Sequence, residues 1–174
     1  TLNLGVGTTP VHIASGDLNA DGKPDLVVAN YNSNNLSVFL GSGNAAFSTA
    51  VNYTGVFNPG RLLLADFNND GILDIVSTSA IGSQISLFIG AGNGTFNSAQ
   101  FLTVGTGQTS LSQGDFNEDG ATDLAIANGG VLTILPGTGN GTFLFGTNFT
   151  IGSTISDMVS ADFNADGHLD IGAA

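Results

Sequence analysis

Residues 66–74 read Asp66-Phe-Asn-Asn-Asp-Gly-Ile-Leu-Asp74, and this nine-residue pattern occurs four times in the chain. The other copies begin at Asp17, Asp115 and Asp162. Each copy has oxygen-bearing side chains at positions 1, 3, 5 and 9 and a glycine at position 6. Three carboxylates in one short loop repel each other strongly unless a cation lies between them. The pattern therefore predicts a cation-binding loop in each copy.

The donor atoms of these loops indicate which cation they bind. Oxygen ligands without histidine or cysteine select a hard cation, and a flexible loop suits calcium better than magnesium. Asp, Asn and Gly also form ordinary turns, but four copies with identical spacing favour a metal site. We expect one calcium ion in each loop, bound by the side chains at positions 1, 3, 5 and 9 and by the main-chain carbonyl at position 7. The predicted ligands are Asp17, Asn19, Asp21, Lys23 and Asp25; Asp66, Asn68, Asp70, Ile72 and Asp74; Asp115, Asn117, Asp119, Ala121 and Asp123; and Asp162, Asn164, Asp166, His168 and Asp170.

Composition limits the classes of function. The chain has 174 residues, of which 41% are hydrophobic, so it is long and apolar enough to form a core. Its formal charge is −12, and Lys23 and Arg61 are its only Lys and Arg residues, which argues against nucleic-acid and anionic membrane partners. Four calcium ions would reduce that charge to about −4. Cysteine is absent, which excludes disulfides and thiol chemistry.

The architecture follows from a repeat of about 49 residues. The first loop aspartates are residues 17, 66, 115 and 162, and a second motif recurs in step as Gly41-Ser-Gly-Asn-Ala-Ala-Phe47, Gly90-Ala-Gly-Asn-Gly-Thr-Phe96 and Gly137-Thr-Gly-Asn-Gly-Thr-Phe143. Short apolar runs bounded by Gly, Asn and Asp predict four strands in each unit. We expect the last strand of a preceding unit in residues 1–8, complete units in 9–57, 58–106 and 107–153, and a partial unit in 154–174.

Four short strands per repeat of this length are typical of a β-propeller blade. The sequence therefore predicts an all-β fold of four-stranded antiparallel blades, about three and a half of them. We interpret the residues at loop position 2 as packing between neighbouring blades; they are Leu18, Phe67, Phe116 and Phe163. The loops are not EF-hands, because both flanks are strands and position 12 never carries a glutamate.

The paired motifs resemble the FG-GAP/VCBS repeat family, which includes the integrin α-subunit propeller and some lectins. The resemblance covers the whole chain and implies a propeller with calcium in each loop. It also implies further blades, since members usually have about seven, within the general propeller range. We expect both ends of this chain to be covered, either by each other in a closed ring, by other copies, or by further sequence of a longer parent chain.

Little in the sequence indicates catalysis. Outside the metal loops we find no pairing of nucleophile, acid and base, because His12 lies on an apolar strand and Asp157 is a lone carboxylate. Glu118 is a variable position within the third loop, and we expect it to be solvated. We therefore expect no enzyme and no catalytic residue. Five Asn-x-Ser/Thr sequons are candidate glycosylation acceptors, namely Asn35, Asn52, Asn93, Asn140 and Asn148.

Two functions remain open. The first is an extracellular or cell-surface calcium-binding module that acts in adhesion or as a structural or fibre component. The second is a calcium-dependent carbohydrate-binding propeller, a hypothesis that rests on the family resemblance and is weakened by the absence of Trp. Other copies, further blades, glycans and extracellular proteins are the expected partners. The extracellular prediction rests on calcium, which outside cells is abundant enough to fill weak sites.

Overall fold

The computed structural model describes residues 3–174, and these residues form strands, turns and bends with no helix. Accordingly, this part of the chain contains no helix long and apolar enough to cross a membrane. Three sheets have four antiparallel strands each, a fourth has two, and a small two-stranded hairpin forms a fifth. The all-β prediction is confirmed, as are the four-stranded sheets.

Each blade is a meander whose strands follow the chain outwards. The first sheet contains β1 (Pro10–Gly16), β2 (Asp25–Asn30), β3 (Asn35–Phe39) and β6 (Val51–Tyr53), and a small hairpin precedes its last strand, formed by β4 (Gly41–Gly43) and β5 (Ala46–Phe47). The second contains β7 (Pro59–Ala65), β8 (Asp74–Ser79), β9 (Gln84–Phe88) and β10 (Gln100–Thr103). The third contains β11 (Gln108–Gly114), β12 (Asp123–Asn128), β13 (Val131–Leu135) and β14 (Thr147–Thr150), and the fourth contains β15 (Met158–Ala161) and β16 (Asp170–Ala173).

The first strands of successive blades contact each other, since β1 meets β7, β7 meets β11, and β11 meets β15. These four strands therefore lie innermost, and the later strands of each blade lie progressively farther out. Strands β1, β7 and β11 each contain a register shift near their first residues. Such bulges turn local side chains in a new direction, here at the same place in each repeat.

The core lies between the blades. All six residues of β8 are buried, as expected for a strand covered on both faces. Its side chains alternate: Ile75 packs with Leu18 and Val27 of the first blade, whereas Val76 packs with Leu124 of the third. Each sheet thus supplies one apolar face to each neighbour, and the blades are held together by burial of apolar surface.

Two expectations differ from the structure. The strand expected in residues 1–8 is absent among residues 3–8, whose only backbone bond to each other joins Val6 N to Leu4 O at 3.0 Å; residues 1 and 2 lie outside the described residues. Phe163, expected to pack between blades, is 60% exposed because no described residue covers that side of the fourth sheet. Leu18 and Phe67 do pack between blades, each only 1% exposed. Phe116 is half-buried against an apolar cluster that contains Ala125 and Met158.

Candidate metal-binding loops

The four acidic loops join the inner strand of each blade to its second strand, and all four have the same backbone conformation. Glycine at position 6 has a positive φ of 78°, 81°, 85° and 91° in Gly22, Gly71, Gly120 and Gly167. Position 4 also has a positive φ, between 58° and 61°, in Ala20, Asn69, Glu118 and Ala165. The sequence indicated the first turn through its glycine, but not the second, because Ala and Glu rarely adopt this conformation.

The carboxylate at position 1 holds the loop wound around it. In the second blade, Asp66 Oδ1 accepts hydrogen bonds from the amides of Asn68 and Asp70, both at 3.2 Å, and Asp66 Oδ2 accepts one from Gly71 at 2.7 Å. The bond from glycine at position 6 recurs in the other loops at 2.7–2.9 Å. These bonds bring the side chain at position 1 to the concave side of the loop.

Positions 3 and 5 extend the same network. Asn68 Oδ1 accepts a bond from Asp70 N at 3.1 Å, and Asp70 Oδ1 accepts one from Ile72 N at 2.8 Å. Asn68 Nδ2 donates to Asp70 Oδ2 at 2.8 Å, so the two side chains contact each other directly. In the first loop Lys23 Nζ takes that place and pairs with Asp21 Oδ2 at 3.0 Å. The side chains predicted at positions 1, 3 and 5 are therefore linked through one wound loop in every blade.

In the first three loops the position 9 aspartate lies beneath the loop and is buried. Asp74 Oδ2 accepts a bond from Phe67 N at 2.9 Å, and Asp74 Oδ1 accepts one from Gly90 N at 2.8 Å. Asp25 and Asp123 are equally buried and make the equivalent pairs of bonds. Burial raises the pKa of the Asp74 carboxyl, the charges of Asp70 and Asp66 raise it further, and the two amide bonds oppose that rise.

Each loop therefore carries side-chain and main-chain oxygens that could bind a metal, but its carboxylates are not gathered around one point. No group of three His, Cys, Asp or Glu side chains within residues 3–174 is arranged to hold a metal by itself. The residue at position 7 contributes its amide to the position 5 carboxylate in all four loops. A carboxylate oxygen that accepts one amide hydrogen keeps a second lone pair. The donor set, with asparagine and main-chain oxygens, fits a hard cation.

The glycine-rich turns have a role that the sequence did not indicate. The amide of Gly94 donates to the carbonyl of Leu18 at 3.1 Å, and that of Gly141 donates to the carbonyl of Phe67 at 3.0 Å. Each turn thus binds position 2 of the acidic loop in the preceding blade. Gly94 has a φ of 79°, and a Cβ atom there would lie 2.5 Å from the Leu40 side chain, so a larger residue would strain the backbone and displace Leu40. The only sign of this contact in the sequence is that the acidic loops and the glycine-rich turns recur with the same spacing.

Four further ionisable side chains lie in two places: Glu118 and His168 in the acidic loops, and His12 and Asp157 near the inner strands. Glu118 is exposed as expected, but its Oε1 contacts Nδ1 of His168 in the next loop, and this contact raises the pKa of His168. His12 and Asp157 lie on or beside the inner strands. Asp157 Oδ1 accepts a bond from Ser110 Oγ at 2.8 Å, which lowers its pKa, and His12 Nδ1 accepts one from Leu62 N at 3.3 Å.

Comparison with protein families identifies the repeats. The model described as FG-GAP-like repeat matches three times, over residues 17–77, 66–125 and 115–173. Each match begins at the first aspartate of an acidic loop and extends into the second strand of the following blade. The chain belongs to the FG-GAP-like repeat family, and the expected resemblance is confirmed. No curated protein matches the sequence.

Solved structures support the propeller fold. The chain is similar to BBS1N in a crystal structure of its complex with ARL6DN, with 15% identity and a TM-score of 0.66 over 98% of this chain and 53% of that one. It is also similar to part of the Photorhabdus luminescens Tc holotoxin pore, with 18% identity and a TM-score of 0.56 over 91% and 8%. The V. cholerae biofilm matrix protein Bap1 gives 21% identity and a TM-score of 0.50 over 97% and 28%. The chain thus spans about half of the first of these proteins and less of the others.

Proposed function

We propose that the chain is a non-catalytic, extracellular calcium-binding repeat module that acts in adhesion or as a structural component of a fibre or matrix. One observation carries the proposal: the same wound loop of oxygen donors occurs four times, with the same two positive-φ turns, at equivalent positions of four blades. The recurrence of one loop conformation in four different surroundings supports the proposal of a shared ligand. The carboxylates of one loop repel each other unless a cation offsets their charge.

Calcium would connect each loop to the rest of its blade. The side chains at positions 1, 3 and 5, the position 7 carbonyl and the position 9 carboxylate would hold it, with oxygens about 2.3–2.6 Å from the ion. When bound, the ion supplies positive charge to a site where burial and neighbouring carboxylates raise the pKa of Asp74.

A mechanical role follows from how the loop is attached. Asp74 joins its loop to Gly90 in the turn of the same blade, and the carbonyl of Phe67 accepts a bond from Gly141 in the turn of the next blade. An ion that stiffens one loop therefore stiffens two blades. A rigid repeat of this kind suits an adhesive or matrix protein, and the matrix protein Bap1 among the similar structures supports this choice.

Thermal unfolding tests the proposal. Metal that binds the folded chain and not the unfolded chain stabilises the folded state by linkage, so EDTA should lower the Tm and added calcium should restore it. Asp70→Ala removes the position 5 ligand of one loop and should reduce the calcium-dependent rise in Tm. Asp157→Asn is the control, since this acidic residue lies outside the loops. A Tm that does not respond to EDTA or calcium would refute the proposal.

Carbohydrate binding is the second candidate, and one surface favours it. A groove of about 470 Å³ lies between the outer strands of the second and third blades, lined by Phe101, Leu102, Leu135, Phe143 and Phe145 among others. The Phe145 side chain is fully exposed. A glycan array probed with and without EDTA separates the two candidates, because only the second predicts calcium-dependent glycan signals that Phe145→Ala removes.

Further blades or a second copy are the partners that we propose for the fourth sheet. Val159 is 56% exposed and Phe163 60% exposed on this sheet, whereas Phe67 is buried in the second blade. Exposed apolar residues and unpaired strand edges favour association. Light scattering at several concentrations tests whether the chain associates; a compact monomer with an ordered, exposed β15 would contradict the proposal.

A further inference from the structure

A second candidate site lies at the opposite end of the inner strands from the acidic loops. Here the inner strands begin and the second strands end, and a cleft of about 490 Å³ opens between three blades. Val11 and His12 line it from β1, Gly60 and Arg61 from β7, and Gln108 and Thr109 from β11, with Tyr31 and Ala80 at its rim.

Repeated backbone irregularities shape this cleft. The register of β1 shifts between Pro10 and His12, that of β7 between Pro59 and Leu62, and that of β11 between Gln108 and Ser110. The lining residues lie at or beside these shifts. Bulges redirect side chains and often accompany binding sites, and three of them lie together at this end of the inner strands.

The single arginine of the chain provides the charge of this site. Arg61 is half-buried, and its Nε donates to the carbonyl of Thr109 at 3.1 Å. This bond fixes the plane of the guanidinium. Among residues 3–174, the ion pairs within 4.0 Å are Lys23 with Asp21 and His168 with Glu118, so no described carboxylate pairs with Arg61. The guanidinium donors that Thr109 does not use remain free to bind an anion in the cleft.

The neighbours of Arg61 limit the charge of that partner. His12 is half-buried, and burial and then the charge of Arg61 lower its pKa, so it is neutral at pH 7. Asp157 is the remaining charged group nearby, and its Oδ1 accepts bonds from Ser110 Oγ at 2.8 Å and from Met158 N at 3.0 Å. With one arginine and one aspartate nearby, the site has too little positive charge for a dianion. A ligand with a single carboxylate fits it better. A planar guanidinium binds a carboxylate through two parallel bonds.

We propose that this cleft binds a small organic carboxylate, with the carboxylate on Arg61 and the rest of the molecule against Tyr31, His12 and Thr109. The site is distinct from the calcium loops in position and in charge. The volume is large enough for a molecule of about monosaccharide size, since ligand pockets begin at about 300 Å³. The chemistry is shared by acidic sugars and by simpler carboxylates, and the experiment distinguishes them.

Backbone amide NMR of the calcium-loaded chain provides the test, with D-glucuronate, acetate and D-glucose as probes. We expect D-glucuronate to shift the amides of residues 12, 61 and 109 with a Kd of about 1–10 mM, as one charged pair with few further bonds would give. Acetate should shift the same amides with at least about 3-fold weaker affinity, and neutral D-glucose should shift none. If acetate binds as well as D-glucuronate, the ligand is a simple carboxylate and the site still stands.

Two variants decide whether Arg61 is responsible. Arg61→Gln should abolish the shifts, and Arg61→Lys, which keeps the charge without the two-pronged geometry, should weaken binding by about 5-fold or more. Ser98→Asp changes the net charge by the same amount as Arg61→Gln at an exposed turn and should have no effect. Unchanged binding in Arg61→Gln, shifts confined to the acidic loops, or no saturable shift with either acid would each overturn the proposal.

Discussion

The acidic loops of the second and fourth blades have nearly the same sequence and very different surroundings. Both have positive φ at positions 4 and 6, and both place position 1 against the glycine amide, at 2.7 Å in one and 2.9 Å in the other. Beneath them the similarity ends. Asp74 is fully buried with two amide bonds, whereas Asp170 is half-buried with one, from Phe163 N at 3.1 Å. Phe67 is buried and Phe163 is exposed.

The comparison separates two kinds of information in the sequence. The winding of the loop depends on nine adjacent residues and forms wherever they occur. The burial of positions 2 and 9 depends on strands and turns about 16 to 75 residues away, such as Gly90 and Gly141. We therefore expect equivalent substitutions in the two loops to have unequal effects on stability.

The largest difference should appear at position 9. Asp74→Ala leaves the amides of Phe67 and Gly90 buried without partners, at a cost of about 1–3 kcal/mol each. Asp170→Ala leaves one exposed amide, which water can satisfy. Urea unfolding with calcium present compares the two. Each variant loses one proposed metal ligand, so the difference between them reports the buried amides. Equal losses of unfolding free energy would show that neighbouring blades do not matter here.

Position 2 provides the next test. Phe67 packs edge-to-face on Phe143 of the third blade, with ring centres 5.5 Å apart. Phe67→Ala should destabilise the fold by about 3–5 kcal/mol, whereas Phe163→Ala should change it by about 0.5 kcal/mol or less. The midpoints of thermal unfolding measure both. A large effect of Phe163→Ala would mean that this side chain is covered in solution.

The glycine-rich turns provide a matched pair of positions, because one has glycine where the other has alanine. Gly94 has φ 79° and lies against Leu40, whereas Ala45 occupies the equivalent place in the first blade with φ 57° and is exposed. Gly94→Ala should cost about 1–3 kcal/mol from overpacking, in addition to backbone strain. Ala45→Gly should be neutral or stabilise slightly, because it relieves strain alone. Differential scanning calorimetry of both variants decides whether contact between blades causes the difference.

We expect the smallest effect on stability from the two histidines, whose contributions change with pH in opposite directions. Burial lowers the pKa of His12, so its contribution to stability is complete above pH 6.5 and is lost as the pH falls through the lowered value. Glu118 raises the pKa of His168, so its contribution is complete below pH 6.5 and is lost as the pH rises through the raised value. Imidazole NMR titrations should show the His12 midpoint below 6.5 and the His168 midpoint above it. Coinciding midpoints would contradict both environments.

Much of the fold could be predicted because the repeat is local and regular. The four-strand unit, the loop positions and the packing of Leu18 and Phe67 follow from spacing and apolar pattern. The positive φ at Ala20 and Glu118 could not, since those residue types disfavour it. Nor could the cleft around Arg61: its residues are about 49 positions apart, and only the contacts among β1, β7 and β11 bring them together.

Calcium uptake by the metal-free chain is the most direct test of the central claim, which is that the four wound loops bind calcium. Isothermal titration after removal of metal with EDTA measures the number of ions bound. The account predicts four calcium ions per chain in the parent and three in Asp70→Ala, with affinities in the range of about 10⁻⁵–10⁻³ M. No saturable uptake at millimolar calcium, or an unchanged number of ions in Asp70→Ala, would contradict it.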